Sequence, residues 1–372
     1  MPERRPDVIV VGAGVAGCGI AWRLAQRGLR VLILERDEPG RGASWAAAGM
    51  LTPVGETSHD DAFAALGEEA LRRWESFAQE LTAIGAGTVG LRRSGRMQIA
   101  TNAAAAERLR RLASSPAGKR AQAVWLDPAA ARSLEPALTS DIVGAVIFPG
   151  DASADPRALA QTLAHAAVDA GAFLRKAEVK SVRRDAEGAC GVQLRDGSVV
   201  SARCIVLAAG AWASQVDGLP TPLPVRPIRG EMFAVRVTGF EIQHIVWGEG
   251  CYVVPRSDGR VLVGATVDDV GFAPGPTPAG LAALSHAAER ILPKLSTQQV
   301  LEAWAGYRPG TPDALPILGP DERLPGLFHA SGLYRNGILL APLVADEIAA
   351  AVTRQDAAFD LSPFRPTRAA LA

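Results

Sequence analysis

The sequence predicts a mixed α/β fold, and two observations lead to this prediction. Near the N-terminus, an apolar strand, a glycine-rich turn, an amphipathic helix and a second strand follow one another in the order β–α–β. Later in the chain, the segments MFAVRV, CYVVP and RVLVGA are typical of strands, and the turn RSDG separates the last two. This run of antiparallel-looking strands interrupts the β–α pattern, as an inserted second domain would.

The composition is that of an ordinary soluble chain. It has 372 residues, 48% of them hydrophobic and 21% charged, which is long enough for two domains. Lysine plus arginine equals aspartate plus glutamate, so neither a nucleic acid nor a membrane is expected as a partner. The cysteines lie far apart without metal-ligand spacing, so we expect reduced thiols, no metal site and a cytoplasmic location. They are Cys18, Cys190, Cys204 and Cys251.

The N-terminal β–α–β segment carries a dinucleotide-binding fingerprint. The strand over residues 7–11 runs into a Gly-x-Gly-x-x-Gly turn, and the second strand ends at Glu35. Gly12 permits the tight turn, Gly14 lets the backbone approach a pyrophosphate, and Gly17 lets helix and strand pack closely. The helix N-terminus offers free N–H groups to phosphates, and the carboxylate accepts hydrogen bonds from a ribose diol. The predicted contacts are Gly12, Gly14, Val15, Ala16, Gly17, Glu35 and Arg36.

Two later segments favour FAD over NAD. GRGASWAAAGML, residues 40–51, is small and glycine-bearing, so its backbone can press against a flat ring; a helix start that merely packs is the alternative. CIVLAAGAWAS, residues 204–214, is an apolar strand that again ends in small residues. A cofactor held along its whole length needs both pieces. The predicted contacts are Ala43, Ser44, Ala47, Ala48, Gly49, Met50, Ala209, Gly210 and Trp212.

Six blocks in order make the chain resemble the D-amino acid oxidase superfamily of FAD enzymes and, within it, the glycine oxidases of thiamine biosynthesis. They are VIVVGAGVAGCGIAWRLAQRG, SWAAAGML, PIRGEMFAV, CYVVPRSDGRVLVGAT, WAGYRPGTPDALPILG and LYRNGILLAP. The resemblance implies a discontinuous, Rossmann-like domain for non-covalent FAD over residues 1–88, 147–219 and 305–372. It also implies an inserted substrate domain, built on a mainly antiparallel sheet, over residues 89–146 and 220–304.

The resemblance also assigns residues that hold an amino acid. Arg308 matches the family's carboxylate-binding arginine, a role that suits its planar fork of donors; an ion pair with Asp313 is the alternative. Tyr252 matches a tyrosine whose hydroxyl supplements the clamp, and a core aromatic is the alternative. Arg335 matches a residue that touches both flavin and substrate.

Three further positions are expected to line the substrate pocket. Some glycine oxidases carry a histidine where Gly250 stands here, and Val267 matches a methionine position. Both smaller residues predict more space than glycine strictly needs. Met50, at the end of the small-residue loop, completes the predicted pocket.

The remaining expected flavin contacts also come from the resemblance. Val179 matches a backbone contact to adenine, and a plain strand residue is the compatible alternative. The last block would run its backbone past the pyrimidine end of the ring, where N–H groups stabilise negative charge. Its predicted contacts are Leu333, Tyr334, Arg335, Asn336, Gly337, Ile338 and Leu339.

The implied function is oxidation of glycine and other small amines by hydride transfer from Cα to flavin N5. The resulting imine hydrolyses to an oxo acid and ammonia, and oxygen becomes hydrogen peroxide. The alternatives are a sarcosine or D-amino acid oxidase, a dehydrogenase that passes electrons to a quinone or partner protein, and a non-catalytic FAD-binding subunit. The resemblance further suggests a homotetramer.

Overall fold

The computed structural model describes residues 5–55 and 61–371. In this part of the chain the strands are β1 (Val8–Val11), β2 (Val31–Glu35), β3 (Met50–Leu51), β4 (Arg96–Ala100), β5 (Val124–Leu126), β6 (Gly144–Phe148), β7 (Ala152–Ser153), β8 (Phe173–Lys176), β9 (Val179–Asp185), β10 (Gly188–Leu194), β11 (Val199–Val200), β12 (Cys204–Leu207), β13 (Arg226–Arg236), β14 (Ile245–Gly248), β15 (Cys251–Pro255), β16 (Arg260–Gly264), β17 (Gln299–Gly310), β18 (Ile317–Pro320) and β19 (Leu327–Ser331).

The helices of this part of the chain lie between groups of these strands and after the last one. They are α1 (Val15–Gln26), α2 (Ala43–Ala46), α3 (Asp61–Ala83), α4 (Ala103–Ser114), α5 (Pro116–Arg120), α6 (Pro128–Leu134), α7 (Pro156–Asp169), α8 (Pro278–Ile291) and α9 (Ala341–Val352), with short 3-10 helices at Gly210–Gln215, Pro293–Thr297, Ser362–Phe364 and Ala369–Leu371. Within residues 5–55 and 61–371, no helix is both long and apolar enough to cross a bilayer.

The first sheet has six strands in the order β18-β19-β12-β1-β2-β8. Strand β1 lies between β12 and β2, parallel to both, and all four of its residues are buried. Alternate side chains enter different cores: Val8 and Val10 pack in the core that includes α1, α7 and α9, and Ile9 and Val11 in the core that includes β9 and β10. Burial on both faces explains the unbroken apolar run, and the predicted β–α–β unit is confirmed.

The second sheet has eight strands in the order β17-β13-β16-β15-β14-β4-β6-β5. Its pairings are antiparallel except for that of β14 with β4. The α/β fold class with a mainly antiparallel second sheet is therefore confirmed.

The division into domains stays a prediction. Its boundaries at 146/147 and 304/305 fall inside β6 and β17, since both strands continue through these positions. Segments 1–88 and 305–372 also include positions outside the described residues.

Strand β17 brings the two sheets together. It pairs with β13 over its whole length, at the edge of the second sheet. The Trp304 indole N–H donates to the Ala46 carbonyl at 3.0 Å, and a Cβ at Gly306 would overlap the Ala46 side chain. This edge strand of the second sheet therefore packs against helix α2, which follows the first β–α–β unit.

An ionic cluster around the buried Asp321 and His329 stabilises the antiparallel pair β18–β19. Asp321 follows β18 and accepts hydrogen bonds from the Arg323 side chain, and the His329 Nε2 on β19 lies 3.1 Å from its carboxylate. Burial alone would raise the pKa of Asp321, but the hydrogen bonds from His329 and Arg323 outweigh it and hold that pKa well below its usual range. The ionised form of Asp321 thus stabilises the fold.

We predict that Asp321→Asn lowers the free energy of unfolding at neutral pH by about 1–3 kcal/mol, because it leaves buried donors poorly matched. A depressed folded-state pKa gives stability that is present above the unfolded value of about 4 and lost as the pH falls below it. Urea unfolding at several pH values should therefore show a shallower acid dependence for the variant. The control is Asp356→Asn in an exposed loop. Equal acid dependence in the wild type and in Asp321→Asn would contradict the prediction.

Candidate cofactor and substrate site

A large cavity, the first cavity, opens at the carboxyl ends of the parallel strands of the six-stranded sheet. The last residues of β1 and β2 reach it, and so do Ala208 after β12 and Ala330 in β19. Parallel strands expose free backbone groups at this edge, where nucleotides bind in doubly wound folds. The fingerprint turn and the start of α1 form its floor.

Two glycines of the fingerprint are required by close contacts. Gly12 has φ +103°, and a Cβ there would come within 2.5 Å of the Ala208 carbonyl oxygen. A Cβ on Gly17 would overlap the Gly12 carbonyl, so Gly17 serves the packing of α1 on β1 rather than lining the cavity. At the start of α1, the Val15 N–H donates to Ser44 Oγ at 3.1 Å. A donor from the helix N-terminus therefore faces the small-residue loop, where phosphates bind in such folds.

Glu35 is fixed at the end of β2. Its Oε2 accepts a hydrogen bond from the Ala13 N–H at 2.7 Å, and its Oε1 accepts one from the Asp37 N–H at 3.0 Å. Each carboxylate oxygen keeps a further lone pair for a ribose hydroxyl. The Arg36 guanidinium lies 3.6 Å above the centre of the Trp212 ring, so the two neighbours form one wall of the cavity.

Most of the predicted cofactor contacts line the first cavity. Gly17, Asn336 and Leu339 line neither cavity, and Asn336 and Leu339 are buried. The Leu339 carbonyl accepts from the Trp74 indole, so its position supports the start of α9. The predicted contacts in the lining are Gly12, Gly14, Val15, Ala16, Glu35, Arg36, Ala43, Ser44, Ala47, Val179, Ala209, Gly210, Trp212, Leu333, Tyr334, Arg335, Gly337 and Ile338.

The second cavity lies between the small-residue loop and the strands β13, β15 and β17. Its lining includes Ala48, Gly49 and Met50, which the sequence placed at the cofactor. The two cavities adjoin, because they share part of their lining: Ala43, Ala47, Tyr334, Arg335 and Ile338.

Arg308 lines the second cavity and is held by backbone oxygens. Its Nη1 donates to the carbonyls of Thr266 at 3.0 Å and Arg229 at 3.2 Å. A Cβ on Gly230 would overlap the guanidinium, so only glycine fits beneath it. The alternative ion pair is excluded, because Asp313 pairs with Arg368 at 2.7 Å. In the described part of the chain, no carboxylate lies within ion-pair distance of Arg308, so its charge is available to an anionic ligand.

Arg335 stands where the cavities meet. It lines both, and its buried Nε has no hydrogen-bond partner within residues 5–55 and 61–371. This buried donor at the junction of the two cavities is therefore available to a bound ligand. The preceding Tyr334 has φ +47° and donates its N–H to the Pro309 carbonyl, which ties this turn to the end of β17.

The other predicted pocket residues differ in whether they line the second cavity. Tyr252, Gly250 and Met50 line the second cavity, and the Tyr252 ring packs edge-on against Trp247. Val267 lines neither cavity, and its side chain is 52% exposed, so its assignment to the pocket is not supported. The physical reason is that the chain continues along β13 after β16: the backbones of Thr266 and Asp268 pair with Glu231 and Arg229, and Val267 between them faces solvent.

Sequence reasoning missed several lining residues. Tyr307 and Gly230 belong to two of the quoted blocks, and membership of those blocks was a usable signal; Tyr307 directly precedes Arg308. Met232 also belongs to a quoted block, whereas Trp247 is a strand residue without a motif. In the first cavity, sequence reasoning missed Gln215, Glu178 and Arg195, which reach the cavity only through tertiary contacts.

The charged side chains that line the second cavity, within the described chain, are basic. Arg308 and Arg335 line it, and no acidic residue belongs to its lining within the described chain. The site therefore suits a small anion beside a nucleotide-type cofactor. The first cavity fits FAD, since it offers a backbone cradle, a fixed carboxylate and the unpartnered Arg335 donor where it meets the second cavity.

Fold and site together define an FAD-dependent oxidoreductase. The model of the family "FAD dependent oxidoreductase" (DAO) matches residues 7–351, and the chain belongs to this family. The family predicted from the six sequence blocks, and FAD as the cofactor, are confirmed.

Known proteins are similar over nearly the whole chain. Glycine oxidase of Geobacillus kaustophilus is 37% identical over 368 residues, 98% of this chain and 97% of the relative. The crystal structure of that organism's glycine oxidase has a TM-score of 0.92 at 36% identity and covers 98% of this chain and 99% of its own. The bifunctional protein ThiO/ThiG of Trichormus variabilis is 36% identical over 97% of this chain, which covers 55% of that longer protein.

We predict that Gly12→Ala lowers the FAD bound per chain at least tenfold, because the added Cβ forces the turn away from the Ala208 carbonyl. Bound flavin is measured from visible absorbance after gel filtration. Gly28→Ala is the matched control: it also has a left-handed backbone, φ +80°, but an added Cβ there meets no heavy atom within 4 Å. Both variants share the backbone cost of about 1–2 kcal/mol, so equal flavin loss would show that the close approach at Gly12 is irrelevant.

Proposed function

We propose that the protein uses FAD to oxidise glycine and other small amino acids or amines. The observation that supports this proposal is Arg308, a guanidinium held by two carbonyl oxygens, without an acidic partner in the described chain, in a cavity that adjoins the cofactor cavity. Such a group binds a carboxylate through two parallel charge-assisted hydrogen bonds. The similarity to proteins named glycine oxidase supports the same substrate class.

The chain's own residues would bind and orient the substrate. Arg308 holds the carboxylate, the Tyr252 hydroxyl supplements it, and Arg335 stands between the substrate and the cofactor. Two guanidinium groups in one cavity also favour the neutral form of the substrate amine, because like charges repel. FAD, when bound, supplies the acceptor for the hydride that leaves Cα. Positioning is thus the protein's main contribution.

The products follow from the bonds that change. Loss of hydride from Cα and of a proton from nitrogen leaves an imine, which water hydrolyses to an oxo acid and ammonia. Oxygen takes up the two electrons and two protons and becomes hydrogen peroxide. We propose that glycine oxidation supplies the imine for the thiazole of thiamine, a role that the similarity to the bifunctional protein ThiO/ThiG supports.

The substrate range is proposed to extend beyond glycine to sarcosine and small D-amino acids. Gly250 lines the second cavity and contributes no side chain to it. An added Cβ there would come to 3.5 Å from the Ala287 side chain, an ordinary contact. The absence of a side chain at this position leaves room for a substituent on the substrate.

Assays of the purified, yellow protein with and without air test this function. Glycine should bleach the flavin without air, and peroxide should accumulate with air. A panel of glycine, sarcosine and small D-amino acids then gives the substrate order. Bleaching without peroxide would instead indicate a dehydrogenase that passes electrons to another acceptor, and a protein without flavin absorbance would refute the proposal.

We predict that Arg308→Ala raises KM for glycine about a hundredfold, since charge-assisted hydrogen bonds contribute about 3 kcal/mol and each tenfold change is about 1.4 kcal/mol. FAD content should stay unchanged, because Arg308 lines only the second cavity. Arg308→Lys keeps the positive charge but lacks the planar fork of donors, so its KM should lie between those of the wild type and Arg308→Ala. An unchanged KM in Arg308→Ala would exclude the carboxylate clamp.

We further predict that Gly230→Ala raises KM for glycine at least tenfold, although it replaces no charged residue. The new Cβ occupies the place of the Arg308 guanidinium and displaces it from its two carbonyl partners. Steady-state peroxide release gives KM and kcat. Gly150→Ala is the matched control, because a Cβ there meets no heavy atom within 4 Å. The same KM in both variants would show that the position of Arg308 is unimportant.

A further inference from the structure

One segment beside the site has no role in the proposed reaction. Residues 268–277, here called the strap, connect β16 to α8 without regular structure. One end is fixed by two backbone hydrogen bonds between Asp268 and Arg229, at 2.9 and 3.0 Å. At the other end the Thr277 hydroxyl donates to the Glu231 carboxylate at 3.0 Å. Both ends of the strap are therefore anchored to β13.

The two anchors flank the residue beneath Arg308. Arg229 and Glu231 are buried, they pair with each other at 3.0 Å, and Gly230 lies between them in sequence. The Arg229 carbonyl that accepts from the Asp268 N–H also accepts from Arg308 Nη1. The strap and the proposed carboxylate clamp thus share a hydrogen-bond acceptor.

The middle of the strap contacts a wall of each cavity through one ring. Phe272 stacks on Trp212 with ring centroids 4.9 Å apart, and it meets Tyr307 edge-on at 5.2 Å. Trp212 lines the first cavity and Tyr307 the second. The Tyr307 hydroxyl donates back to the strap, with the Ala273 carbonyl at 3.0 Å and the Phe272 carbonyl at 3.3 Å.

Few contacts hold this middle part in place. Val270 of the strap is 48% exposed, so it adds little apolar burial. Asp269 pairs with Arg226 at the surface, and such an exposed pair contributes little. The aromatic contacts of Phe272 and the single hydroxyl of Tyr307 therefore carry most of the attachment, and each can be removed by one substitution.

We propose that Phe272 and Tyr307 are positioning residues, which act through the strap to hold Trp212 at the FAD cavity and Arg308 at the carboxylate. Because one ring contacts both walls, retention of FAD and binding of a carboxylate are coupled. The proposal rests on the proposed function for the identity of the ligand. Coupling of this kind is reciprocal, so each ligand tightens the other by the same factor.

The test measures two equilibria that need no turnover. The dissociation constant of FAD is obtained by titrating apoprotein and following flavin fluorescence, with and without acetate as an unreactive carboxylate. The dissociation constant of acetate is obtained from its perturbation of the visible spectrum of the bound flavin. KM and kcat for glycine complete the set. The variants are Phe272→Ala, Phe272→Tyr and Tyr307→Phe.

For Phe272→Ala we expect both dissociation constants to rise at least about fivefold, the size of one lost favourable contact of about 1 kcal/mol. KM should rise with little change in kcat, and the tightening of FAD by acetate should disappear. Phe272→Tyr keeps the ring and should restore both constants. Tyr307→Phe removes only the hydroxyl and should weaken acetate about threefold to tenfold.

Matched controls separate this role from general destabilisation. Phe173→Ala removes a half-exposed ring from the edge strand β8, and Thr82→Val removes a hydroxyl that donates to a backbone carbonyl in α3. Near-UV circular dichroism checks the fold of each variant. If Phe272→Ala does not fold, Phe272→Leu, which lacks the flat ring, replaces it.

Unchanged dissociation constants for FAD and acetate in the folded Phe272 and Tyr307 variants would overturn the proposal. So would equal changes in the two control variants. Its failure is distinguishable from failure of the proposed function, since acetate and FAD binding are measured without oxidation. If the protein does not oxidise glycine but Phe272→Ala weakens binding of both FAD and acetate, the proposed function is refuted and the positioning role of the strap is supported.

Discussion

A permanent positive charge without an acidic partner in the described chain is the constraint on which the site depends. Arg308 is only partly exposed, so its guanidinium needs acceptors when no ligand is bound. Two backbone carbonyls provide them, and they come from segments 229–231 and 264–268, which β13 and β16 bring side by side. Gly230 follows from this geometry, since any side chain there would take the place of the guanidinium. The charge is stabilised yet available to a carboxylate.

The path of β17 explains how this charge reaches the cofactor. Gly12 and Arg308 lie far apart in the sequence, but β17, the edge strand of the second sheet, runs to Gly310, and its Pro309 lines the first cavity. Its contact with α2 leaves no room for a side chain at Gly306, where a Cβ would overlap Ala46. The small residues of the 43–50 loop thus serve two surfaces, and this is why Ala48, Gly49 and Met50 line the second cavity rather than the first.

Local signals predicted the parts of the fold that local physics decides. The strand, glycine turn, helix and acid of the first β–α–β unit are contiguous, so periodicity and spacing located Gly12 and Glu35 without tertiary information. Arg308 was recognisable only through its block, because a single charge has no periodic signal. Val267 was expected in the pocket but is exposed in the structure, because the long-range pairing of its neighbours Thr266 and Asp268 with β13 leaves its side chain facing solvent. The strap has no signature at all, since its ends are fixed by long-range contacts with β13.

Burial also matters for the thiols of a site that would release peroxide. All four cysteines are free, and Cys251 lines the second cavity next to Tyr252. Burial raises the pKa of Cys18, Cys204 and Cys251 to about 12, so at neutral pH these groups stay protonated. Peroxide attacks the thiolate and not the thiol. Burial therefore protects the Cys251 thiol from the proposed product.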